Sequence, residues 1–285
     1  MNPEIRYPAV AEAFYPADTR ELETLITTLL QHAAPEYEKR KKIRAIITPH
    51  SSYLYSGAIA ACAYKAIIGH SFKTVFLMGN AHAYLFEGIA LDTHKAWHSP
   101  LGNIPVNTTL NRKLLQKEPK LIHELNIAHH SDHTLEIQLP FLRRTLKPGF
   151  SILPMLFGEN TGDIHQKTAE LLLSLLEDDD LIVVSTDLSH YPAYRDANTI
   201  DRLTLEHVVS GNIDGLEEHE RRTINHGTTG EISLYCSPDA LKTLLVIAGK
   251  LGWQAEKLCY NNSGEGPYDD KMSVVGFGTV IFFES

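Results

Sequence analysis

Three short apolar runs, each ending within a few residues of a histidine, constrain this chain more than any other feature. Ile43-Arg44-Ala45-Ile46-Ile47-Thr48 leads into Pro49-His50. Thr74-Val75-Phe76-Leu77-Met78 leads into Gly79-Asn80-Ala81-His82, and Leu181-Ile182-Val183-Val184 into Ser185-Thr186-Asp187-Leu188-Ser189-His190. Runs this apolar suit the strands of a sheet covered on both faces. Helical stretches separate them. Asp18 and Glu21 form a capping-box-like pair ahead of Leu22, Leu25, Ile26, Leu29 and Leu30 at helical spacing. Residues 56–68 are Ala-rich and helical, opened by Ser56-Gly57. Residues 108–116, 163–176, 199–209 and 238–251 also read as helices, and 134–146 as one that Pro140 kinks or restarts. Further strands are expected at 88–91, 151–157 and 273–283. Strands alternating with helices predict an α/β fold with a largely parallel central sheet, and no composition break divides 1–285 into more than a single domain.

In a parallel sheet the carboxyl ends of the strands share one edge, and ligands bind in the crevice outside it. His50, His82 and His190 can therefore converge, although 32 and 108 residues separate them in sequence. A single loop histidine is ordinarily a surface or capping residue; the repeated strand-then-histidine placement is what marks these three. A second cluster, His123, His129, His130 and His133, leads into Thr134-Leu135-Glu136. His129 and His130 read as exposed loop residues. His133 and Glu136 are three apart, so one helix face can carry both, with the carboxylate orienting the imidazole.

The three cysteines are odd in number and show no CxxC spacing, so neither a disulfide framework nor a zinc ribbon is indicated. Cys62 and Cys259 read as buried apolar residues. Cys236, just before the 238–251 helix, is a candidate metal ligand or nucleophile, since a helix N-terminus favours thiolate. No apolar segment follows the N-terminus and no stretch approaches a membrane span, so a reduced, cytoplasmic location is expected. A net charge of −9 argues against nucleic-acid or anionic-membrane partners. The basic run Lys39-Arg40-Lys41-Lys42 and the acidic run Glu177-Asp178-Asp179-Asp180 read as solvated turns before strands.

The segments around these histidines resemble the MEMO family. Pro49-His50-Ser51-Ser52-Tyr53-Leu54-Tyr55-Ser56-Gly57 is similar to the family's PHAGY-x-YSG, and Gly79-Asn80-Ala81-His82 to its GPSH. Ser99-Pro100-Leu101-Gly102, Asp132-His133-Thr134-Leu135-Glu136-Ile137-Gln138-Leu139-Pro140-Phe141 and Ser185-Thr186-Asp187-Leu188-Ser189-His190 continue the match in collinear order. The resemblance implies a three-layer α/β/α fold similar to class III extradiol dioxygenases. It implies a metal site of His50, His82 and Cys236, with His190 as acid/base and Asp187 and His133 lining the cleft. It also implies a pathway link to a radical-SAM protein and an AMMECR-type protein. Ser51-Ser52 stands where the family has Ala-Gly, while the histidine and aspartate positions are retained.

Two imidazoles and a thiolate suit iron, copper or zinc. The expected activity is metal-dependent redox or dioxygenase-like chemistry on a small, aromatic or other substrate. His190 would be the proton acceptor, and the helix N-terminus near Gly57 could favour an anionic group. Two alternatives remain open at this stage: a zinc-type hydrolase, and a non-enzymatic protein that binds a metal, metabolite or peptide.

Overall fold

The computed structural model describes residues 2–37, 42–225 and 233–284. The basic residues 39–41 lie outside them; Lys42 pairs with Glu284 at 3.0 Å. In chain order the elements are β1 (Ile5–Arg6), α1 (Thr19–His32), β2 (Lys42–Thr48), α2 (Tyr53–Ala66), β3 (Thr74–Asn80), β4 (Ile89–Leu91), β5 (Ala96–Ser99) and β6 (Gly102–Pro105). They continue with α3 (Thr108–Lys117), β7 (Ile122–Glu124), α4 (Asn126–His130), α5 (Leu139–Thr145), β8 (Ser151–Phe157), α6 (Ile164–Leu173) and β9 (Leu181–Ser185). Last come α7 (Tyr194–Ser210), α8 (Ile213–Asn225), α9 (Pro238–Leu251), β10 (Gln254–Asn262) and β11 (Gly276–Glu284).

The main sheet has the order β10-β11-β2-β9-β3-β8-β4-β7. Its centre, β2-β9-β3-β8, is parallel throughout, with antiparallel partners joining at β11 and β4. A small sheet, β1-β5-β6, lies apart. Side chains alternate across a strand, so a strand covered on both faces must be apolar at every position. Val75 and Leu77 of β3 join a core with α1, α2 and α5, while Phe76 and Met78 join the opposite core with α6, α7 and α9. Leu181 and Val183 against Ile182 and Val184 repeat the pattern in β9. Each such side chain contributes roughly 1.5–3 kcal/mol on burial. Helices on both faces of a mostly parallel sheet match the expected fold class.

Several local expectations need correction. Helix α2 begins at Tyr53, three residues ahead of the expected start, so Gly57 lies inside it rather than at an anion-binding N-terminus. A Cβ at Gly57 would stand 3.0 Å from Leu29 Cδ1, so the glycine serves the close packing of α2 on α1. Asp180, expected in a solvated run, is buried; its carboxylate accepts the Thr74 and Glu177 N–H groups and stitches two strand starts together. Cys62 and Cys259 form a disulfide between α2 and β10, against the expectation of reduced thiols, and Cys236 is the free cysteine. Pro140 does restart a helix: a 3-10 turn over Glu136–Gln138 gives way to α5 with the proline in its first turn. Among the described residues no helix is long and apolar enough to cross a membrane.

Candidate metal centre

Strand β9 lies between β2 and β3, so its carboxyl end sits between the two chain segments that carry His50 and His82. The backbone past β9 then fixes both neighbours. Asp187 accepts the His50 N–H at 2.8 Å and the Ser51 hydroxyl at 2.6 Å. The turn before α9 is laid across the same strand end. Ser237 Oγ donates to Ser185 O at 2.7 Å and accepts the Asn80 N–H at 3.0 Å, and the Cys236 N–H reaches Asp187 O at 3.3 Å. Cys236 is thereby delivered to His50 from 186 residues away in sequence.

The potential ligand atoms of His50, His82 and Cys236 all lie within 4.8 Å of one another. His50 Nε2 is 3.0 Å from Cys236 Sγ, and the His50 and His82 ring centroids are 4.9 Å apart. The hydrogen-bond network assigns both tautomers. Ser185 Oγ donates to Thr134 O at 2.6 Å, so it must accept from His50 Nδ1 at 3.2 Å. His82 Nδ1 donates to Asn80 O at 2.9 Å. Each Nδ1 then carries the proton, leaving each Nε2 as an acceptor, which in His50 faces Cys236 Sγ. Partners of this kind fix ring orientation in metal sites.

Asp132, absent from the sequence-level site, holds the His82 segment. Its Oδ2 accepts the His82 N–H at 2.6 Å and the Ala83 N–H at 3.1 Å, while Oδ1 accepts the Thr134 N–H two residues on. That last contact is an Asx turn, the one signal in the Asp132-His133-Thr134 sequence that could have marked it. His133 stands 5.4 Å, ring to ring, from both His50 and His82, with Phe14 at 4.9 Å on another side. Glu136 does not orient His133 as expected. It is fully buried and accepts the Ala9 and Val10 N–H groups, the Tyr15 hydroxyl and the Arg6 guanidinium, clamping the N-terminal segment that carries Phe14. His129, expected on the surface, is fully buried; Nε2 donates to Ala90 O and the ring packs edge-on to Trp97. His130 is exposed as expected.

His190 Nδ1 donates to Leu188 O at 2.8 Å, which leaves Nε2 as the acceptor. Burial lowers its pKa, while nearby Asp187 opposes the shift. His50 is held well below the usual histidine range by burial and by the His82 and His133 imidazoles, and His133 is lowered chiefly by burial. The Cys236 thiol moves opposite to the expectation from its helix N-terminus: burial, then the Asp187 carboxylate, push it up. Burial thus favours the neutral His50 imidazole and the neutral Cys236 thiol in the metal-free site. Coordination reverses the cysteine shift, because a bound cation deprotonates a coordinating thiol. The donor set therefore fits a metal ion.

The sequence profile of the Memo-like protein family matches residues 6–281. A MEMO1 family protein of Aquifex aeolicus is 31% identical over 95% of this chain and 98% of its own length. One from Nitrosopumilus maritimus is 27% identical over 98% and 99%, and one from Methanopyrus kandleri 27% over 97% and 98%.

Proposed function

This chain belongs to the Memo-like protein family, and we propose that its His50–His82–Cys236 cluster holds a redox-capable metal ion, iron or copper, for oxidation of a small substrate. The observation that carries the proposal is the convergence of one ligand atom from each of His50, His82 and Cys236 within 4.8 Å, each histidine being backed by a partner at Nδ1. Three protein donors leave coordination positions open for a substrate, as catalytic metal sites require. When bound, the metal supplies Lewis acidity and access to electron transfer.

The chain's own residues do the rest. His190, its pKa lowered by burial and its Nδ1 held by Leu188 O, accepts a proton from a substrate hydroxyl. Asp187 keeps His50 and Ser51 in register through its two carboxylate oxygens. Phe14 packs against His133 and walls one side of the cluster. A thiolate in place of the carboxylate of the usual two-His-one-carboxylate iron site also favours zinc, which supports hydrolysis as a second reading.

The test is oxygen consumption by iron- or copper-reconstituted protein with catechols. Uptake that disappears in His190→Ala, with metal content retained, supports the oxidative reading. Turnover of ester or amide substrates with zinc and no oxygen uptake supports hydrolysis.

A further inference from the structure

A recess of about 440 Å³ opens beside the cluster, between the start of α2 and the segment joining β10 to β11. It begins at Ser51, the residue after His50, whose hydroxyl rests on Asp187. Its far wall includes Val275, which pairs through the backbone with His190. Two of its lining residues thus adjoin the candidate site: Ser51 follows His50 in the chain, and Val275 bridges to His190.

The lining has a definite chemistry. Tyr55 and Tyr268 form a tilted ring pair with centroids 6.3 Å apart, and the nearly fully buried Phe277 also lines the recess. The 263–268 turn is pressed onto Tyr55: a Cβ at Gly266 would stand 3.1 Å from the tyrosine Cδ1. Ser51, Ser263 and Ser273 supply hydroxyls. The one charged side chain among the described lining residues is the Asp270 carboxylate. Lys271, next in sequence, is committed elsewhere, with Nζ 3.0 Å from Asp269 and 5.2 Å from the centre of the Tyr194 ring. Aromatic faces attract cations and stack on rings. A recess with a carboxylate and no cationic side chain among its described lining residues disfavours carboxylate and phosphate ligands. Its size suits a single ring with a short arm, at the lower end of small-molecule pockets.

We infer that this recess binds a single-ring aromatic amine, the ring against the Tyr55–Tyr268 pair and the ammonium toward Asp270, as the substrate class of the neighbouring centre. The inference rests on the reading of the cluster as a reactive centre; ring binding itself requires only the recess.

Calorimetric titration of the full chain with tyramine and with 4-hydroxyphenylacetate compares one ring bearing opposite charges. Tyramine is expected to bind about tenfold more tightly, a difference typical of one favourable charge contact. Asp270→Asn should bring the two ligands to within a few-fold of each other, and Tyr268→Ala should weaken tyramine several-fold. Both residues are exposed on a loop, so neither substitution threatens the fold. Equal affinity, preference for the acid, or no tyramine binding at millimolar concentration overturns the inference, as does an unchanged preference in Asp270→Asn. Metal content measured on the same samples separates the two ideas. Metal without tyramine binding defeats this inference alone, and tyramine binding without metal defeats the proposed redox function alone.

Discussion

Asp201 is a buried carboxylate with no cationic partner among the described residues, and its titration should be visible in the stability of the whole chain. It projects from α7, accepts the Ser189 N–H at 3.0 Å and the Tyr260 hydroxyl at 2.8 Å, and packs so tightly on β11 that a Cβ at Gly276 would fall 2.0 Å from Oδ2. Burial outweighs these two hydrogen bonds and raises the carboxyl from 3.8 to about 6. Between these values the folded chain holds a proton that the unfolded chain has released. Stability therefore falls as pH rises from about 4 to 6 and stays lowered above that. At about 1.4 kcal/mol per pH unit, the full cost is about 3 kcal/mol. Asp201→Asn removes the titration while its amide can still meet Ser189 and Tyr260. Urea denaturation of both proteins from pH 4.5 to 8 should show the variant gaining roughly 2 kcal/mol on the wild type over that range, most of it below pH 6.5. A difference that stays flat with pH would refute the assignment of a raised carboxyl to Asp201.

Reduction of the Cys62–Cys259 disulfide, which spans 197 residues, should cost about 3–5 kcal/mol and lower the Tm by roughly 5–8 °C in calorimetry. Three titratable thiols in the unreduced, unfolded chain would contradict the pairing. Glu136→Gln leaves Arg6 buried without its counter-charge and should destabilise by about 3–5 kcal/mol. Limited proteolysis should then cut within residues 2–16 faster than in the wild type. Ser185→Ala removes the acceptor that fixes the His50 tautomer and should weaken metal binding about 10–100-fold. Unchanged affinity in a competition titration would mean that Ser185 does not orient the ring.

The parts of the fold that were legible in sequence are those with one strong physical signature. β2, β3, β8 and β9 are apolar on both faces because both faces are covered, and a reader sees the continuous run. Helix α8 went unseen because Leu216 and His219 alone are buried in a polar stretch, too little for a stripe. Strand β10 was missed because it is an edge strand, half-buried, with a register shift between Lys257 and Cys259 that breaks its alternation. The start of α2 was misplaced because the helix is buried almost all round, so no polar face marks its first turn. His50 and His82 were readable as strand ends, and the structure brings them together with Cys236. The roles of Asp132, Ser185 and Glu136 were not readable, since each depends on backbone groups or side chains brought in from tens to more than a hundred residues away. The Cys62–Cys259 pairing was hidden for the same reason, behind an odd cysteine count.

The central claim is that His50, His82 and Cys236 together hold a metal ion. Elemental analysis of protein purified without a histidine tag and without oxygen tests it most directly, beside His50→Ala, His82→Ala and Cys236→Ser. The account predicts close to one iron or copper per wild-type chain, lost in each variant. The metal-loaded wild type should also melt higher than its chelated form, because a ligand bound only to the native state stabilises it. No bound metal after reconstitution, or equal metal in all four proteins, would contradict the account.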